Sequence, residues 1–248
     1  GTDDRIQLVI SAGALQPLIA MLDSSNAAVL TPALRAVGNI VTGNDVHTQA
    51  AIDCGAVPRI VTLLSHEKKT IRKEACWALS NIAAGNTTQL NLLCSCENAL
   101  EGLINQLTNA EWDVQKEAAW AISNISSSSM KSHPRRLIKL GAVAPLVNLL
   151  DKADATIILV ALEAIERMLK VDENQECAAL VEEAGGIDLI EELQHHENNK
   201  IYEKSVRILQ NHFGGESEEA EDNDSSAGIK NGAFDFEPTK NIKQSFEK

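Results

Sequence analysis

The chain has 248 residues, 44% of them hydrophobic but only 3% aromatic, so a folded core must be built from aliphatic side chains. That composition favours helices over sandwiches or barrels. The formal charge of −13, from 35 acids against 22 bases, disfavours nucleic acid and anionic membranes as partners and favours a basic one.

A short amphipathic segment, QLVISA, opens the pattern and stops at Gly13. GALQPLIAML follows, then the polar DSSNAA, then a longer helical stretch, VLTPALRAVGNIV. The same grammar restarts at Gly55 with GAVPRIVTLL, the polar SHEKKT and the long IRKEACWALSNIA. It returns at Asn98 (NALEGLINQL), at Gly141 (GAVAPLVNLL, preceded by RRLIKL) and at Gly185 (GGIDLIEELQ). The intervals are 42, 43, 43 and 44 residues, too regular for chance. Glycine at each restart ends one helix and turns the chain, because it tolerates the left-handed conformation found at helix ends. Pro17, Pro58 and Pro145 fall in the first turn of the next helix, where a missing N–H costs little.

Three helices in forty-odd residues make an armadillo/HEAT kind of unit. One unit cannot bury its apolar face alone, so neighbours must stack. The predicted fold is therefore all-α: a right-handed superhelical armadillo-repeat solenoid of about five three-helix repeats over residues 1–213, with the third helices lining a concave groove. From residue 214 to 248 the repeat stops. GESEEAEDNDSSAG is acidic and nearly free of apolar residues, and is expected to be disordered; three Phe in polar surroundings follow it.

Cys54, Cys76, Cys94, Cys96 and Cys177 are odd in number and form no spaced framework, which reads as reduced thiols in a cytosolic or nuclear protein. No apolar run reaches the length of a membrane span, and no signal peptide opens the sequence. It reads as a piece of a longer protein.

The stretch EACWALSNIAAGN at 74–86 returns as EAAWAISNISSSS at 117–129. Aligned on the turn residue, the third helices carry Asn39, Asn81, Asn124, Arg167 and Asn211 at one site. One turn earlier stand Arg35, Trp77, Trp120, Glu163 and Arg207, and three residues before each Trp stands Glu74 or Glu117. Spacings of three and four put Glu, Trp and Asn on one helix face. An Asn amide can both donate to and accept from a peptide backbone, whatever that peptide's sequence. Two neighbouring Trp rings form a slot for an aliphatic stem and attract the cation at its end, where a Glu can meet it. The pattern thus fits an extended peptide bearing Lys or Arg. A Trp on a helix is more often core, and Trp112, at the start of a third helix, reads that way; the repeated Asn argues for binding at Trp77, Asn81, Trp120 and Asn124.

WALSNIAAGN and WAISNI resemble the W-x-x-x-N signature of the importin-α (karyopherin-α) family, and ALRAVGNIVTGND resembles the repeat before it. The likeness covers nearly all of residues 3–215 and points to the last five repeats and the tail. The resemblance implies a nuclear import adaptor whose minor site binds Lys/Arg-rich nuclear localisation signals. Trp77 and Trp120 would stack on basic stems, Asn39, Asn81 and Asn124 would hold the peptide backbone, and Glu74 and Glu117 would pair with its cations. Val41, Gly43, Asp45 and Thr48 match positions that capture a key lysine; Ser80 adds a contact, and Arg35 takes the Trp position of the first unit. The resemblance further implies a nuclear export receptor at residues 201–213, importin-β reached only through an N-terminal segment outside this sequence, and shuttling between cytoplasm and nucleus.

A non-transport armadillo scaffold for signalling or adhesion is the alternative; such grooves tend to be basic, and Glu74 and Glu117 argue against it. Catalysis, cofactors and metals find no support. His195 and His196 beside Glu197 lack a third ligand, and the other histidines are scattered.

Overall fold

The computed structural model describes residues 3–214, and the acidic stretch and tail expected to be disordered lie outside them. The described residues form five helical units. The first comprises α1 (Asp3–Ser11), α2 (Leu15–Ala20) and α3 (Ala27–Val41). The second comprises α4 (Asp45–Asp53), α5 (Ala56–Leu63) and α6 (Lys69–Ala83). The third comprises α7 (Thr87–Ser95), α8 (Ala99–Asn109) and α9 (Trp112–Ser126). The fourth comprises α10 (Ser132–Lys139), α11 (Val143–Val147) and α12 (Ala155–Val171). The fifth comprises α13 (Glu176–Glu183), α14 (Gly186–Glu192) and α15 (Asn199–His212). No strand occurs among the described residues.

The turn that starts each second helix is a backbone requirement. Gly13, Gly55, Gly141 and Gly185 have φ between +72° and +84°. The third unit has Asn98 there, and it too is left-handed, at φ +59°. Among non-glycine residues Asn is one of the few that accept this region readily. Third helices begin differently: Asn26, Asp154 and Asn198 cap α3, α12 and α15 with side-chain oxygens that accept backbone N–H bonds. Asn86 and Gln89 cap α7 reciprocally.

Each helix class stacks on its own kind. The third helices run α3–α6–α9–α12–α15, each against the next, while α1, α4 and α7 stack on one side and α5, α8 and α11 on another. Their shared interior is one aliphatic cluster that runs from Ile6 to Ile208. Trp112 is only half-buried against that cluster, and Lys116 lies over its ring at 5.6 Å from the centroid. The stacking aligns side chains about forty residues apart, which creates the site described next.

Candidate functional site

α6 carries Glu74, Trp77, Ser80 and Asn81, and all four are buried. Trp77 is 1% exposed because its ring lies against Gly38 of α3. A methyl group on residue 38 would stand 2.8 Å from Trp77 Cε3 and closer still to Cζ3, so only glycine admits the indole at this depth. The expectation of a slot between two open rings therefore takes a different form: Trp77 is sunk into the seam between units, and Trp120 is partly buried and packed against the core cluster.

The Asn ladder is built into the stack as well. Asn124 Nδ2 donates to the Ser80 carbonyl of the preceding unit at 2.9 Å. Arg167, at the same place one unit on, donates from Nη1 to the Ser123 carbonyl at 3.1 Å. Asn81 Nδ2 instead donates to Trp77 O in its own helix at 3.0 Å. Asn39 and Asn211 are exposed. Ser80 Oγ donates to Trp77 O at 2.8 Å.

The carboxylates are arranged for cations. Glu74 forms an ion pair with Arg35 across 39 residues of sequence, although Glu74 itself is 3% exposed. Its second oxygen, Oε2, is buried and has no hydrogen-bond partner among the described residues, and the same is true of Asn81 Oδ1. Such orphaned acceptors are uncommon in folded proteins and call for a donor. Burial pushes the Glu117 carboxyl up to about 7, against the pull of Lys73 and Lys116, and the neighbouring Glu74 pushes it further.

At the α3–α4 turn, Val41, Gly43 and Thr48 are buried and Asp45 is exposed. Thr48 Oγ1 donates to Val41 O and to Asn44 O, both at 3.2 Å. A methyl group on Gly43 would fall 3.0 Å from Ile6 Cδ1, so the turn is packed down by a glycine. Gln89 Nε2 donates to Asp45 O at 2.7 Å and Asn86 Nδ2 to its carboxylate at 3.3 Å, so this corner is braced to the next unit.

The Armadillo/beta-catenin-like repeat family matches residues 2–42, 44–84 and 97–127, and the Atypical Arm repeat matches residues 175–227. Importin subunit alpha-1b of Oryza sativa subsp. japonica is 42% identical over 229 residues, which are 89% of this chain and 43% of the relative. Importin subunit alpha-3 of Arabidopsis thaliana is 41% identical over 248 residues, 96% of this chain and 46% of the relative. The chain belongs to the importin-α family of armadillo-repeat proteins. It spans less than half the length of those two importin-α relatives. A designed armadillo repeat protein in complex with the peptide (KR)4 superposes with a TM-score of 0.76 at 38% identity, over 85% of this chain and 86% of that one.

Two features of this importin-α chain escape sequence reasoning. Gly38 looks like one more helix glycine, but it is the partner that Trp77 needs. The signal was available, since the residue before each ladder Asn is small in the first three units: Gly38, Ser80 and Ser123. The other is Glu166, which occupies that same place in the fourth unit and is 3% exposed. Lys170 Nζ and Arg207 Nε reach its Oε1, each at 2.9 Å, and Lys204 Nζ reaches Oε2 at 3.0 Å. Burial alone would raise the Glu166 carboxyl, but hydrogen bonds from Lys170 and Lys204, with their charges, outweigh it and hold the group down at about 2.

Proposed function

We propose that this chain is part of a nuclear import adaptor whose concave face binds the Lys/Arg-rich nuclear localisation signals of cargo proteins. The observation that carries the reading is the pair of buried acceptors on either side of Trp77, Glu74 Oε2 and Asn81 Oδ1, which have no hydrogen-bond partner among the described residues. A basic peptide supplies the two kinds of donor they lack: a cationic head for the carboxylate and a backbone N–H for the amide. Arg35 on Glu74 is an internal instance of the first contact. Relatives named importin subunit alpha and a designed neighbour that holds (KR)4 support the same reading.

In this reading Trp120 offers its ring to a basic stem, while Trp77 forms the floor beside it. Asn39, Asn81 and Asn124 hold the peptide backbone, with Asn81 turning from its contact with Trp77 O to do so, and Ser80 adds a contact. Glu117 meets a second cation, and Val41, Gly43, Asp45 and Thr48 form a lysine corner. The nuclear export receptor docks on α15, importin-β acts through a segment outside these residues, and the protein shuttles between cytoplasm and nucleus.

The test is a fluorescence-anisotropy titration of a labelled Lys/Arg-rich peptide against the full chain, run beside Trp120→Ala and Glu117→Gln. Binding should weaken with added salt. Trp120→Ala should lose about 2- to 30-fold in affinity, the range of a cation–π contact worth roughly 0.5–2 kcal/mol. Equal affinity in all three folded proteins would overturn the reading and favour a scaffold without this groove chemistry.

A further inference from the structure

The ladder on the third helices reverses its charge along the array. Counted from the turn residue of each unit, the acid position holds Glu74, Glu117, Val160 and Lys204 in the second to fifth units. The aromatic position holds Trp77, Trp120, Glu163 and Arg207. The last unit thus puts cations where Glu and Trp stand in the second and third. The joints change in step: Trp77 packs on Gly38 between the first two units, whereas Arg207 meets Glu166 between the last two.

Glu166 does not cancel that charge. Lys170 Nζ, Lys204 Nζ and Arg207 Nε all lie within 3.0 Å of its carboxylate, so three cations share one anion and the cluster keeps two positive charges. The Lys170 and Arg207 side chains are 53% and 51% exposed, so the surplus faces solvent in a chain whose total is −13. The adjacent Arg167 is balanced by Glu163 at 3.2 Å and adds nothing to it. His212 stands beside the cluster, where burial, and then Lys170, hold its pKa below the usual histidine value against the pull of Glu166.

Packed helices lie about 8–10 Å apart, so the two joints from Glu117 on α9 to Lys204 on α15 span about 16–20 Å. An extended peptide covers that distance in about six residues.

We propose that the last two units take an acidic flank of the bound peptide: a run of Asp or Glu about six residues from the Lys or Arg that meets Glu117. Its carboxylates complement Lys170, Lys204 and Arg207. The inference rests on the signal-binding reading and adds a specificity to it, since the ladder sorts basic peptides by what flanks them. A basic stretch that continued over α15 would meet like charge, so the reversal also marks where the basic register ends.

The experiment is a fluorescence-anisotropy titration of the full chain with a labelled Lys/Arg-rich peptide that carries three Glu, or three Gln as control, beyond a neutral spacer of about six residues. The flank is placed on the N-terminal side in one pair of peptides and on the C-terminal side in another. On the side that reaches α15, Glu should tighten binding about threefold or more over Gln at low salt, the yield of two or three exposed ion pairs. The gain should fade at about 1 M salt. A one-residue spacer leaves the acids beside Glu117 and should abolish it. Lys170→Gln/Arg207→Gln should lose the gain yet bind the Gln peptide at least as tightly as the wild type, which also shows that the variant is folded. Equal affinity for Glu and Gln peptides on both sides, with the Gln peptides bound, would overturn this inference and leave the signal-binding reading standing. A gain that persists in the variant would also overturn it, because the acids then act elsewhere. Absence of binding by every peptide would overturn both.

Discussion

The Trp77 indole packs directly against Gly38 across the joint between the first two units, with no room for a side chain at residue 38. Gly38→Ala must therefore push the indole outward or part the helices. Overpacking of this kind costs typically 1–3 kcal/mol, more than the gain in helix propensity returns. Chemical denaturation followed by circular dichroism should show the loss, and a smaller ring in Gly38→Ala/Trp77→Leu should recover most of it.

Glu166 makes acid stability a local property. Its folded pKa of about 2 lies below the ordinary carboxylate value, so its stabilisation is complete above about pH 4.5 and is lost as pH falls toward 2. The contribution is on the order of 3 kcal/mol. Urea titrations between pH 7 and pH 3 should show the wild-type protein weakening steeply in the acid range. Glu166→Gln should be less stable at pH 7, because three cations lose their anion, and its stability should vary less with pH in this range.

Glu117 behaves oppositely. Burial first, and Glu74 after it, raise its pKa to about 7, so its contribution to stability is greatest below pH 4.5 and is lost as pH rises through 7. A cation bound beside it requires the ionised form, so binding of a basic peptide should release a proton. Affinity should then rise about tenfold between pH 6 and pH 8. Anisotropy titrations at the two pH values test this, and Glu117→Gln should flatten the dependence.

Asn124 ties its unit to the preceding one through the Ser80 carbonyl. Asn124→Ala should cost about 1 kcal/mol in stability, the usual net value of such a bond. It should also weaken basic peptides regardless of their sequence, since a backbone contact is lost. Comparing several peptides of shuffled Lys/Arg order on this variant checks the second part.

Thiol chemistry should sort the five cysteines by burial. Cys76, Cys94 and Cys177 are buried, and desolvation pushes the Cys94 and Cys177 thiols up to about 12. Cys54 and Cys96 are partly exposed. A chromogenic disulfide reagent should titrate two thiols quickly in native protein and five in denaturant.

The fold was legible because its period is written in residues that the backbone demands. A left-handed turn favours Gly or Asn, and the five restarts at Gly13, Gly55, Asn98, Gly141 and Gly185 supply them. Gln175 is also left-handed, at φ +59°, and nothing in its side chain announces it. The site was legible in part. Helix periodicity puts Glu74, Trp77 and Asn81 on one face, but it does not say how deep that face lies. Depth depends on the next helix, and the Arg35–Glu74, Trp77–Gly38 and Arg207–Glu166 pairings span 39 to 41 residues. Such pairings follow from the register of stacking, which a single sequence does not display.

The two kinds of joint give the array unequal hinges. An aromatic ring on glycine is held by dispersion and water exclusion, which salt leaves intact or strengthens. A carboxylate among cations is held by charge, which salt weakens. Rising ionic strength should therefore loosen the last joint more than the first, where screening weakens the Arg35–Glu74 pair but leaves the Trp77–Gly38 contact in place. The solenoid would then flex most at one end, like a spring held more firmly at the other, and the width of its concave face would respond to the ionic medium chiefly from that end.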